Sequence, residues 1–172
     1  KYNFKFNKIA SAMATNEEFV ELVASEKKPT FASTGMTNLE EIDHLVSIFE
    51  KYECELMLMH TVSTYPSLER HLNLKCIDSL RKRYSFKLGY SGHETSVSPS
   101  IVAASMGAAA IERHITLDRA MYGSDQSASL EEKGLIQLVE TLRKIPDIMG
   151  DGIKKILEEE QVIANKLRYW RN

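Results

Sequence analysis

The segment KPTFASTGMTNLEEIDHLVSIFEKYECELMLMH, residues 28–60, reads as turn, strand, helix and strand in succession. Lys27-Lys28-Pro29 makes the turn, and Thr30–Ser33 follows as a short β-type run. Thr34-Gly35-Met36 is a tight exit, after which Thr37 or Asn38 opens a helix. Along that helix Leu39, Ile42, Leu45, Val46 and Phe49 recur at the spacing of one helical face. Glu55–His60 is nearly continuous in apolar residues, as a strand covered on both faces requires. The succession predicts a parallel βα unit in an α/β fold.

The same alternation extends in both directions and yields five such units. Upstream, a strand is expected over Phe4–Ala10 and a helix over Asn16–Ala24, with Asn16 as N-cap and Phe19, Leu22 and Val23 on one face. Downstream, Thr61–Leu72 reads as a polar exit loop and Ile77–Arg83 as a short helix. Lys87–Ser91 is expected as the fourth strand, and Ser98–Met106 as a helix of small residues ended by Gly107. Ala109–Ile115 is the fifth strand, followed by a long polar loop and a helix over Leu130–Ile145. Asp151–Trp170 reads as a charged final helix. No linker, repeat or low-complexity tract interrupts the series, so one layered domain is expected.

The 172 residues are 43% apolar with a formal charge of −2, enough to bury one core. With 22 basic against 24 acidic side chains and no basic run, the strong positive field of a nucleic-acid binder is missing. A small-molecule partner is expected instead. Cys54 and Cys76 lack the spacing of a zinc site or a disulfide framework, which predicts a reducing, cytoplasmic setting. No apolar run approaches the roughly 20 residues of a membrane-spanning helix, and no membrane partner is expected. The chain opens on Lys1 in a segment already approaching a strand, so truncation is expected.

Polar and ionisable residues gather at the C-terminal ends of the five strands: Lys8 and Ser11, Ser33-Thr34-Gly35, Ser63 with Tyr65, Ser91 with His93, and Glu112 with His114. In parallel α/β folds that edge carries the active site. Alternation along a strand puts Ser91 and His93 on one face, and Glu112 and His114 likewise. Two imidazoles from adjacent strands then project into a common space, where neutral nitrogens suit a borderline divalent metal and Glu112 can orient a ring. The alternative is that each ring only satisfies a local hydrogen bond. Ser33-Thr34-Gly35 offers hydroxyls and backbone N–H groups to an anion, with Lys8 as a fixed positive charge or a solvated strand-end lysine. Lys8 and Ser11 reach one ligand only if the strand ends between them. His44 and His71 are expected at the surface, and His60 in a structural role.

KPTFASTGMTNLEEID (28–43), MHTVSTYPS (59–67), LGYSGHE (88–94) and IERHITLDRAMYGSDQSASLE (111–131) closely resemble the N-acetylneuraminate synthase family, which includes enzymes making legionaminic and pseudaminic acids. The resemblance implies a partial (β/α)8 TIM barrel over residues 1–150, with the first three units missing, and a helical extension over 151–172. It implies condensation of phosphoenolpyruvate with an N-acetylated hexosamine, typically N-acetylmannosamine, to a nine-carbon sugar acid and phosphate. It implies His93 and His114 as ligands of a divalent metal, Mn2+ or Mg2+, with Glu112 as a further catalytic residue. Lys8, Ser11, Ser33, Ser63 and Ser91 look like phosphoenolpyruvate contacts, and Tyr65 and Asp125 like sugar contacts. Ser63 stands where some members carry asparagine, and Ser11-Ala12-Met13 replaces a Ser-Gly-acidic pattern. A homodimer or a complementing N-terminal half is expected to close the barrel. A non-catalytic half-barrel module and a different metal-dependent aldolase-like barrel are the alternatives.

Overall fold

The computed structural model describes residues 3–171, with the side chain of residue 171 left out of account. Five strands, β1 (Asn7–Ile9), β2 (Thr30–Ser33), β3 (Leu56–Thr61), β4 (Leu88–Gly92) and β5 (Ile111–Arg113), form one parallel sheet in sequence order. The register runs Ile9 to Ala32 to Leu58 to Leu88 across the first four strands, and Tyr90 pairs with Ile111. Helices α1 (Glu17–Ser25), α2 (Leu39–Lys51), α3 (Cys76–Arg83), α4 (Ser98–Ser105) and α5 (Glu132–Met149) follow the strands in turn. Five parallel βα units in an unbroken arc make half of a (β/α)8 barrel, as expected from the sequence.

Strand alternation divides the sheet into two chemistries. Toward the helices, Ile9, Ala32, Leu56, Leu58, Leu88 and Tyr90 are buried with Val20, Leu45, Phe49, Ile77 and Ala103 in one core. Each large side chain fully withdrawn there contributes roughly 1.5–3 kcal/mol. The opposite, concave face carries Phe31, Met57 and Met59 low down and Ser33, Thr61, Ser91 and Glu112 near the C-terminal ends.

Asn38 caps α2 with a full capping box: its side chain accepts from Glu41 N at 3.0 Å, and the Glu41 carboxylate accepts from Asn38 N at 2.8 Å. The end of α3 is tied to α2 through Asp43, which accepts from Arg83 Nε at 2.8 Å and from Tyr84 Oη at 2.6 Å. Those donors, Arg83 first, hold the Asp43 carboxyl down at about 2.

Several boundaries differ from the sequence expectation. The outermost strands β1 and β5 are shorter, three residues each, because an edge strand is paired on one side only. In α1 the inward face is Val20 and Ala24 flanked by Phe19 and Val23, and Leu22 is 64% exposed. Leu22 lies two residues, about 200°, round the helix from Val20. Helix α5 runs past Pro146 for a further turn and stops at Gly150, whose φ is 62°. The single helix expected over Asp151–Trp170 is not formed. Gly150 and Gly152 both adopt positive φ, and helix resumes only in α6 (Glu158–Leu167). Among the described residues no helix is long and apolar enough to cross a membrane.

Candidate active site

β1 ends at Ile9, and Ser11 begins a 3-10 turn, so the chain bends between Lys8 and Ser11. That bend brings both to one edge, which an ideal strand would have prevented. Lys8 Nζ donates to Ser33 Oγ at 2.7 Å and lies 3.5 Å from Glu112 Oε1. Ser91 Oγ donates to the same Glu112 oxygen at 2.8 Å. Lys8, Ser33, Glu112 and Ser91, from four strands, thus form one connected polar chain. Burial pulls the Lys8 ammonium below its usual value, opposed by the Glu112 charge.

Ser11 Oγ accepts from Gly35 N at 3.1 Å, so that amide is engaged by the chain itself. Gly35 is required by space. A methyl group there would sit 2.1 Å from Ser63 Oγ and 2.8 Å from Ser11 Oγ. The positive φ of the turn falls on Met36 instead. Thr34 is buried and donates to Met59 O at 3.2 Å, which makes it a structural tie to β3. Ser63 Oγ is buried with no hydrogen-bond partner among the described residues, an orphan beside the polar chain.

His93 and His114 follow the ends of β4 and β5, and their ring centroids are 5.0 Å apart at 73°. His93 is 4% exposed and its Nδ1 lies 2.8 Å from Val62 O. A carbonyl only accepts, so Nδ1 carries the proton and Nε2 keeps a free lone pair. Burial lowers the His93 pKa and favours this neutral form. His114 Nδ1 lies 3.6 Å from Asp125 Oδ2. Tyr65 covers the pair, with its ring 4.2 Å from His93 and 5.6 Å from His114. Burial first, and the Asp125 charge second, push its phenol pKa up.

Every candidate from the sequence, Lys8, Ser11, Ser33, Ser63, Tyr65, Ser91, His93, Glu112, His114 and Asp125, stands at this edge. Two imidazoles sharing an ion at about 2.1 Å place their centroids about 4.5 Å apart at a right angle and about 5.2 Å at the tetrahedral angle; the observed 5.0 Å falls between. The donor set fits a divalent ion with two protein ligands and open positions. Among the described residues no group of three or more His, Cys, Asp or Glu side chains is arranged to hold a metal, so a closed structural site is not formed. His60 faces the helices and meets Leu72 O at 2.8 Å, a structural role as expected. Sequence reasoning missed Glu94 and Arg113. Each neighbours a histidine, but a charge beside a site residue gives no sign that it is buried and paired.

The NeuB family model matches residues 1–154. The N,N'-diacetyllegionaminic acid synthase of Campylobacter jejuni is 37% identical over 167 residues, covering 95% of this chain and 50% of that protein. Human N-acetylneuraminate-9-phosphate synthase is 33% identical over 166 residues, 96% of this chain and 46% of that one. The crystal structure of N-acetylneuraminic acid synthetase from Leptospira borgpetersenii, in complex with citrate, superposes with a TM-score of 0.85 at 35% identity, over 97% of this chain and 60% of that chain. The chain spans about half the length of the curated relatives it matches. A half-barrel whose strand ends gather these side chains, and whose sequence matches along nearly its whole length, belongs to the NeuB family.

Proposed function

We propose that this chain carries the strand-end part of the active site of a nonulosonic-acid synthase. The reaction joins phosphoenolpyruvate to an N-acetylated hexosamine of the N-acetylmannosamine type. C3 of the enol forms a bond to the sugar aldehyde carbon, water adds at C2, and the C2–O bond to phosphate breaks, giving a nine-carbon acid and phosphate. The observation that carries the reading is the meeting of the His93 and His114 rings at 5.0 Å beside the chain of Lys8, Ser33, Glu112 and Ser91.

Lys8 and the hydroxyls of Ser11, Ser33, Ser63 and Ser91 hold the phosphate and carboxylate end of phosphoenolpyruvate; their contribution is positioning and charge stabilisation. Ser63, whose buried hydroxyl finds no partner at hydrogen-bonding geometry among the described residues, offers that hydroxyl to the ligand. Glu112, on Lys8 and Ser91, keeps the ammonium aimed at the hollow. Tyr65 and Asp125 face the sugar. A divalent ion, Mn2+ or Mg2+, on His93 and His114 supplies polarisation of the open-chain aldehyde when bound. Further strands against β1 and β5, from a second copy or a complementing N-terminal half, close the barrel. The unpaired thiols Cys54 and Cys76 fit a reducing cytoplasm. A second reading is a binding module that keeps the strand-end edge without turnover, since a fold does not by itself secure an activity.

Phosphate release from phosphoenolpyruvate, dependent on both N-acetylmannosamine and manganese, is the expected result with the full protein. No release with any N-acetylated hexosamine would leave the module reading in its place. Calorimetry should show manganese binding that the His93→Ala, His114→Ala double variant loses. Equal binding by that variant would remove the metal site.

A further inference from the structure

We propose that Glu94 and Arg113 form a clamp behind the site that fixes the His93 ring relative to the His114 ring. The proposal rests on the reading of those two imidazoles as partners in holding a metal. Glu94 follows His93 at the end of β4, and Arg113 precedes His114 at the end of β5. Alternation turns both away from the hollow and under α4, so neither touches substrate or metal; they are positioning residues.

Their side chains are 1% and 2% exposed, and Arg113 Nη1 lies 3.1 Å from Glu94 Oε1. Arg113 Nη2 donates to the backbone carbonyl of Glu94, the residue that follows His93. Nη1 also donates to Ser96 O at 2.9 Å and Ser100 Oγ at 3.1 Å. Tyr90 Oη donates to Glu94 Oε2 at 2.8 Å, and Ser100 Oγ reaches Glu94 Oε1 at 3.5 Å. Gly92 leaves room for the carboxylate, since a methyl group there would sit 2.7 Å from both of its oxygens. From the other side, His93 O accepts from Ser67 N at 3.0 Å. The backbone is therefore fastened at two successive carbonyls, those of His93 and Glu94, and the second fastening originates in the residue beside His114.

A buried ion pair is a poor source of stability, because desolvation of two charges offsets most of their attraction. Its directional bonds do fix geometry. The planar fork of arginine lets one side chain hold a carboxylate, two carbonyls and a hydroxyl at once, which a lysine cannot do. The backbone of β4 and the backbone of β5 are thus locked at the level where the two rings emerge.

The test uses manganese alone as the probe, titrated calorimetrically into the full chain, together with the ring NMR signals of His93 and His114 without metal. Arg113→Lys is expected to weaken manganese binding about 10- to 100-fold, the usual effect of losing support behind a ligand, and to shift the His93 ring signals. Tyr90→Phe, which keeps the ion pair and removes one hydrogen bond, is expected to do both to a smaller extent. A folded Arg113→Lys with wild-type manganese affinity and unmoved ring signals overturns the clamp, whatever happens to its unfolding midpoint. Should Arg113→Lys fail to fold, Tyr90→Phe decides on the same two measurements. Absence of manganese binding by the wild type would remove the metal reading. The ring signals then judge the clamp alone: a shift supports it and no shift overturns it.

Discussion

Gly35 shows how little free volume the edge contains. Alanine there is expected to cost about 1–3 kcal/mol by overpacking, because its methyl group meets Ser63 Oγ at 2.1 Å and Ser63 Cβ at 3.1 Å. Ser63→Ala in the same chain should recover part of that loss, since the nearer atom is gone. Urea unfolding of the two single variants and the double variant measures the coupling, and a fully stable Gly35→Ala would contradict the crowding. The placement of Ser91, His93, Glu112 and His114 was legible because two-residue alternation is a covalent property of extended backbone. The sequence marks Gly35 as part of a tight strand exit with N–H groups for an anion; the structure ties its N–H to Ser11 and makes close packing the reason for glycine. Glu94 and Arg113 escaped notice because burial and pairing are tertiary facts. No local pattern separates a paired charge from a solvated one.

The helices owe their limits to specific caps and breakers. Asn38→Ala removes the side-chain half of the α2 capping box, while the Glu41 carboxylate can still accept from the backbone N–H of residue 38, and is expected to lower stability by about 1 kcal/mol, read as a drop in the urea midpoint. An unchanged midpoint would mean that the helix entry is set by the packing of Ile42 and Leu45 and by the Glu41 carboxylate, without the Asn38 side chain. Where periodicity was strong, as in α2, the inward face followed the sequence. In α1 several apolar residues compete for one face, and Val20 and Ala24 take it because small and β-branched side chains fit nearest the sheet. Among the described residues the final segment has none that is buried, so the charged pattern that predicts one helix there lacks the packing that makes a helix continuous.

The molecule as a whole should be sensitive to mild acid. His60 is buried against Leu72 O, and desolvation lowers its pKa in the folded state. Between that lowered value and the unfolded value of about 6.5 the unfolded chain binds more protons, so stability falls as pH drops below about 6.5 and is level above it. His93, also lowered by burial, adds to the same slope. The unfolding midpoint should therefore fall between pH 7.5 and pH 5.5, and His60→Gln should flatten part of the decline. A variant with the wild-type slope would show that His60 does not contribute.

Along β4 the residues Leu88, Tyr90 and Gly92 turn to the helices while Gly89, Ser91 and then His93 turn to the hollow. An insertion or deletion of one amino acid within that strand would exchange the two sets, sending a tyrosine into the hollow and a serine into the oil. Length changes are therefore expected to be tolerated in the connections between strands and helices and not between Leu88 and His93.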